Sequence, residues 1–470
     1  MGAYSGRGMN VMAVNGCAVC LQKQRRIDKL EEEVTSLRAK VRYQARKEED
    51  GFFGSSTPSA KKPVKPNSEE KEKKPRGARH GHKGVGRKSH SEGNRDRTVD
   101  VQPDSEMCQE CGTPLEKKGW ADRSVVDTPR KKAQKITFRI AKRYCPHCRR
   151  NVTPQPPGVL PRSLYGNQFI ADAVEMHYLH GMPMGRICEY LDVGPGSLVK
   201  LFRRCADLFG GMTDKLVEDY REAPVKHADE TGWRTDGKNG YVWLFATPDL
   251  SVFQFGKSRS GKVPQAVFGK ARLSGTLIVD RYAAYNKAPC RIQYCYAHLL
   301  RHVEDLEKEF PDDKEVSAFV AVAAPQLSLA MRLRTQPISD EEFHRRAATL
   351  REEIKTTMAQ PARHQGIRRI QDIFRDNEAR LYHWADNRAV PADNNLAERD
   401  LRPSVIARKV SFGSVTDAGA KIRSTLSSVA ATIKKRGGNV AGRIRQALDL
   451  LARNPEADPF PILFARSNPP

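Results

Sequence analysis

The sequence predicts a multidomain α/β protein: a mixed-sheet core with a helical insertion, preceded by a coiled coil, a zinc ribbon and a helical region. Three observations carry that reading. Short apolar or alternating runs lie between residues 225 and 295, about ninety helix-patterned residues follow them, and two Cys-x-x-Cys pairs stand upstream. At 470 residues, against roughly 100–200 per domain, the chain has room for several folded units.

Near the N-terminus, RIDKLEEEVTSLRAKVR places Ile27, Leu30, Val34, Leu37 and Val41 at three-four spacing among charged positions. That is a short coiled-coil seam, which implies self-association through residues 1–52. Cys20 falls in register with the seam, so packing is the first reading of Cys17 and Cys20. Residues 53–100 are rich in Lys, Pro, Gly, Ser and Glu and bury too little apolar surface to offset ordering, so a disordered basic linker is expected.

Cys108-Gln-Glu-Cys111 and Cys145-Pro-His-Cys148 flank the stretch KITFRIAKRY. Four thiolates satisfy one structural Zn²⁺, each pair coming from a tight turn, so 101–160 reads as a zinc ribbon with a hairpin between its knuckles. Residues 161–222 turn helical. MGRICEYL, a break at DVGPG, and SLVKLFRRCADLF read as a helix-turn-helix with Arg186, Lys200, Arg203 and Arg204 available to DNA phosphates.

The period then changes. VKHADE, YVWLFATP and SVFQFG read as strands, GKVPQAVFGKAR as a helix, and TLIVD and IQYC as strands. Three strands, helix, strand, strand is the order of a ribonuclease-H-like sheet, assigned to 223–415 with a helical insertion at about 297–390; 416–470 reads as a basic helical region. Asp229 closes the first strand and Asp280 ends the fourth, and in such a sheet these two strands are neighbours. PADNNLAERDLRP supplies Glu398 on a short helix that Asp393 or Asn394 caps. Asp400 lies roughly 200° around that helix from Glu398, and Arg402 shares the Glu398 face.

Oxygen ligands of this kind suit Mg²⁺ or Mn²⁺. Two such ions roughly 3.5–4 Å apart activate an attacking oxygen and stabilise a leaving one. Cys295 and His298 stand at ligand-like spacing but make half a site, and Trp233, Trp243 and Tyr285 are read as core. Lys plus Arg outnumber Asp plus Glu by 81 to 56, a net +25, so the long-range field attracts polyanions and DNA is the leading partner. In the tail, Arg408, Lys409, Lys421, Arg423, Lys434, Lys435 and Arg436 are candidates to hold phosphates. No leader and no apolar run of membrane length is read, and the unpaired cysteine pattern fits a cytoplasmic, nucleoid-associated protein.

HADETGWR, VDRYAAYN, YCYAHLLRH and DNNLAERDLRP together resemble the insertion-sequence-66 transposase family, a bacterial group of DDE transposases. The resemblance spans nearly the whole chain: zipper-like N-terminus, zinc ribbon, and a core interrupted by a helical insertion before the glutamate. It departs in having Tyr296 where the family more often has tryptophan, and in its long lysine-rich linker. The resemblance implies Asp229, Asp280 and Glu398 as the catalytic, metal-binding carboxylates. It also implies cleavage of element ends and strand transfer into target DNA, with accessory proteins of the same element as candidate partners. A non-enzymatic DNA-binding regulator, a decayed transposase, or a nuclease without strand transfer are the alternatives.

Overall fold

A computed structural model describes residues 154–466 continuously, together with 133–141, 143–147, 149–152, Pro114 and the helical positions Arg26, Ile27, Leu30, Val34 and Leu37. Two compact units divide at Pro129 and Arg130. In the first, Ile27, Leu30, Val34 and Leu37 are helical and exposed. Val41, Cys17, Cys20 and the basic linker lie outside the described residues, as do Cys108, Cys111 and Cys148.

The second unit opens on a small antiparallel hairpin, β1 (Arg143–Cys145) and β2 (Arg150–Val152), with Arg143 opposite Val152. Cys145 ends β1. Next come α1 (Asn167–Val174), α2 (Met184–Leu191), α3 (Pro195–Leu208) and α4 (Gly210–Glu222). Between α2 and α3 the chain turns through Asp192, at φ 52°, and Gly194.

A five-stranded mixed sheet follows: β3 (Val225–Gly232), β4 (Tyr241–Ala246), β5 (Ser251–Gly256), then after α5 (Lys262–Phe268) β6 (Thr276–Val279) and β7 (Arg291–Tyr294). The spatial order is β5-β4-β3-β6-β7. The first three strands are antiparallel, while β6 and β7 run parallel to β3. The expected order of elements is present, and the two aspartate-bearing strands are neighbours. The helical insertion is α6 (Tyr296–Glu309), α7 (Lys314–Leu333), α8 (Asp340–Ala359), α9 (Gln365–Asp376) and the short α10 (His383–Asp386).

Helix α7 contains an 18-residue stretch of mean hydropathy 1.5 and is long and apolar enough, by length and composition alone, to cross a membrane. Buried Val316, Val320, Ala323, Leu327, Ala330 and Leu333 recur every three or four positions. That stripe packs on α6 and α8.

After the insertion come α11 (Asn395–Ser411), α12 (Asp417–Lys435), α13 (Val440–Arg453) and α14 (Phe460–Phe464). A single hydrophobic core joins the sheet, the insertion, α1–α4 and α12–α14, so the segments read as 161–222 and 416–470 are packed against the sheet. Helix α12 covers the edge strand β5. Ser424 Oγ, Ser428 Oγ and Thr432 Oγ1 accept from the N–H groups of Phe255, Phe253 and Ser251 at 3.1, 2.8 and 3.1 Å. Four helical residues rise about 6 Å and two strand residues about 6.6 Å, so a hydroxyl every fourth position meets every second strand amide. An edge otherwise open to strand pairing is thereby closed.

Candidate active site

Cross-strand register sorts the acids of HADETGWR. Asp229 stands opposite Leu244 and Glu230 opposite Trp243, and directly paired residues share a face. Leu244 belongs to the cluster that includes Ala397 and Leu401 of α11, so Asp229 lies on the face that α11 covers. Glu230 points the other way. Its Oε2 accepts from Tyr285 Oη at 2.6 Å and its Oε1 from Arg259 at 2.9 and 3.2 Å. Trp233, Trp243 and Tyr285 are buried to 1%, 0% and 0% exposure, which fits packing.

Parallel pairing of His227 with Ile278, extended two residues, sets Asp280 beside Asp229. Asp280 is held in a turn by the Tyr282 amide, 2.9 Å from its Oδ1. Glu398 sits in the first turn of α11 and is among the groups acting on Asp229. Burial, then the neighbouring Glu230 and Asp280 carboxyls, hold the Asp229 carboxyl well above the usual carboxylate range, against one backbone hydrogen bond that favours the anion. Asp280 and, more weakly, Glu398 thus both raise the Asp229 carboxyl, a like-charge effect that a bound cation would relieve.

Two side chains of α6 face Glu398. Arg301 donates to its Oε1 at 3.2 Å, and His298 Nδ1 lies 3.8 Å from the same oxygen. They are three positions apart, one helical turn, a relation readable in YCYAHLLRH. Burial first, then Arg301, lowers the affinity of His298 for a proton. Its Nδ1 is buried without a hydrogen-bond partner among the described residues. The ligand atoms of Cys295, His298 and Glu398 lie within 4.8 Å of one another, so the half-site read at Cys295 and His298 gains a third group. Burial pushes the Cys295 thiol up to about 12.

Of the two capping candidates, Asp393 takes the role. Asp393 Oδ1 accepts from the Asn395 amide at 2.9 Å, while Asn394 makes no side-chain cap. Asn394 is instead fully buried and joins three elements. Its amide donates to Ala228 O at 2.9 Å, its Oδ1 meets His227 Nδ1 at 2.9 Å, and its backbone N–H points to Cys295 Sγ at 3.1 Å. Its carbonyl accepts from the Glu398 amide at 3.2 Å. One residue therefore ties the strand bearing Asp229 to the helix bearing Glu398. Only the DNN run hinted at it, because a buried asparagine and a capping one look alike in sequence. Asp400 faces away from Glu398, with Oδ2 2.5 Å from Lys435 Nζ and 2.8 Å from Ser251 Oγ.

Arg186, Lys200 and Arg203 are exposed on α2 and α3, while Arg204 donates to Pro161 O at 2.5 Å. Arg402, Lys409 and Lys421 are exposed on α11 and α12. Several tail cations have internal partners instead of free ends. Arg408 donates to Gly232 O. Arg423 lies over Trp233 and Tyr178 at 5.1 and 5.3 Å and donates to His177 Nε2 at 2.7 Å. Lys435 binds Asp400 and two carbonyls, and Arg436 binds Asp219. Their charges are consumed in joining α11 and α12 to the sheet and to α4, a pairing between segments remote in sequence.

The family described as "Transposase IS66 family" matches residues 162–422, more than half of the chain and all three carboxylates. The chain belongs to the IS66 family of transposases. A curated relative, "Uncharacterized protein y4qI" of Sinorhizobium fredii (strain NBRC 101917 / NGR234), is 24% identical over 346 residues. That alignment covers 63% of this IS66 family member and 62% of the relative.

Proposed function

We propose that the protein is the DNA-cleaving and strand-joining enzyme of a bacterial insertion sequence, acting in the cytoplasm on a ribonuclease-H-like core. The observation that supports this reading is the register that sets Asp280 beside Asp229, with Glu398, in the first turn of α11, among the groups acting on the Asp229 carboxyl. Their donor set is entirely oxygen, and Asp229 is held above its usual range by burial and by other carboxyls. Such a set fits hard divalent cations, so these three residues are proposed to hold Mg²⁺ or Mn²⁺, two ions in a DDE mechanism. When bound, the metal supplies activation of the attacking oxygen and stabilisation of the leaving one.

The protein's own part is orientation and exclusion. Asn394 fixes Glu398 relative to the Asp229 strand, and α11 shields the Asp229 face. Arg301 is placed to neutralise a phosphate oxygen beside Glu398. Exposed Arg186, Lys200, Arg203 and Arg402 are proposed to contact backbone phosphates of the element ends. The N-terminal seam is proposed to pair subunits, and Cys108, Cys111, Cys145 and Cys148 to hold one Zn²⁺.

The test incubates the full chain with Mn²⁺ or Mg²⁺ and DNA flanking its own gene. Cleavage and joining at inverted ends are expected. Asp229→Asn, Asp280→Asn and Glu398→Gln should each abolish both while leaving DNA binding near wild type. Cleavage that survives any one of the three substitutions refutes the assignment, and cleavage without joining reduces the enzyme to a nuclease.

A further inference from the structure

The ends of β6 and β7 remote from the carboxylates open onto a groove of about 670 Å³, whose lining includes Lys270, Arg272, Leu273, Pro289 and Arg291. Gly275 belongs to it, five positions before Asp280. At roughly 3.3 Å per strand residue the groove lies about 16 Å from the carboxylate site, and it forms a separate feature.

Its electrostatics are one-sided. No acidic side chain lines it, and Lys270, Arg272 and Arg291 make no side-chain ion pair or hydrogen bond among the described residues. Elsewhere on this unit exposed guanidinium groups find carboxylates, as Arg259 does with Glu230 and Arg466 with Asp249. Beneath the floor lies Lys226, at 0% exposure. Its Nζ donates to Ser274 O at 2.6 Å and to Ala223 O, with no carboxylate partner among the described residues. Four cationic side chains thus point at or underlie one concavity without a counter-ion. The floor is also rigid: Gly275 has φ +78°, and a Cβ there would come within 2.2 Å of Pro224 O. Unpaired cations around one concavity with no acidic side chain raise the local positive potential and favour an anion there.

We propose that this groove is a second DNA-binding site, gripping backbone phosphates of a duplex at the sheet end opposite the carboxylates. Three cations, Lys270, Arg272 and Arg291, line it with no acidic side chain, which suits several phosphates of a strand better than one small anion. Contacts of this kind go to the backbone, so binding here is expected to be independent of sequence. The inference rests on the family's action on DNA and not on the metal assignment.

The experiment compares full-length wild type with Lys270→Gln/Arg272→Gln/Arg291→Gln on a random-sequence duplex across a range of salt. Each lost phosphate contact makes the slope of log K against log salt shallower by about 0.9, so a decrease of roughly 2.7 is expected. Arg291→Gln alone should give about 0.9, which keeps the test sound if the triple variant folds poorly. Lys314→Gln/Arg368→Gln/Arg369→Gln, on the helical insertion, removes the same net charge and should leave the slope nearly unchanged. An unchanged slope in the groove variants, or an equal loss in the insertion variant, overturns the proposal. Stabilisation of wild type by inorganic pyrophosphate that the groove variant lacks, with DNA slopes equal, overturns it in favour of a small-anion site.

Discussion

Asn394→Ala removes the one side chain that links the Asp229 strand to the Glu398 helix. Its amide is the donor to Ala228 O and its Oδ1 the partner of His227 Nδ1, both at 2.9 Å and both buried. Truncation leaves two buried polar atoms unpaired, at about 1–3 kcal/mol each. The expected loss is roughly 2–6 kcal/mol, on the order of 10 °C in Tm for a unit of this size. A merely structural residue would do the same, so the deciding measurement is the response to metal. Wild type should gain Tm with Mn²⁺ by linkage, and Asn394→Ala should need far more Mn²⁺ for the same gain because Glu398 is no longer held in register. Asn394→Asp keeps the volume but faces Ala228 O with an acceptor, and should resemble the alanine variant. If Asn394→Ala lowers Tm yet keeps the wild-type Mn²⁺ midpoint, the positioning argument fails; if Tm is also unchanged, the hydrogen bonds themselves are wrong.

Other outcomes follow from the same geometry. Asp229→Asn should raise Tm at neutral pH without metal, since it removes a carboxylate that burial and Glu230 destabilise, and should abolish the Mn²⁺ response; a lower metal-free Tm would refute the crowding argument. Asp400→Asn breaks a half-buried pair with Lys435, so thermal stability should fall by roughly 2–4 kcal/mol while the Mn²⁺ midpoint stays put; a shifted midpoint would put Asp400 in the site. Burial and Arg423 lower His177 to about 4, below its unfolded value near 6.5. The unfolded chain therefore binds the extra proton between those values. Stability is complete above about pH 6.5 and is lost as pH falls towards about 4, by up to roughly 3 kcal/mol. Denaturation midpoints across that window should be flatter in His177→Asn, and equal slopes in the two proteins would remove His177 as the cause.

The sequence by itself determined the local facts. Period-two runs between 225 and 295 gave the strands and their order, helical spacing gave the insertion, and strand-end placement put Asp229 and Asp280 together. Glu398 was separable from Asp400 because two helical positions turn a side chain to the opposite face, and the two residues do look opposite ways. Residue type and short-range spacing suffice for such relations. Tertiary structure alone decided which charges are spent internally. Arg408, Arg423, Lys435 and Arg436 look like phosphate contacts in a basic tail, yet each has a partner 176 or more positions away: Gly232 on β3, His177 just after α1, Thr247 in the turn before β5, and Asp219 on α4. The same holds for Asn394, whose partners at His227 and Ala228 are 167 and 166 positions distant, and for the hydroxyl ladder of α12, legible only once it lies on β5. A side chain's chemistry is written in the sequence, but whether water, a carbonyl or a carboxylate meets it is set by contacts between remote segments, which spacing along the chain does not encode.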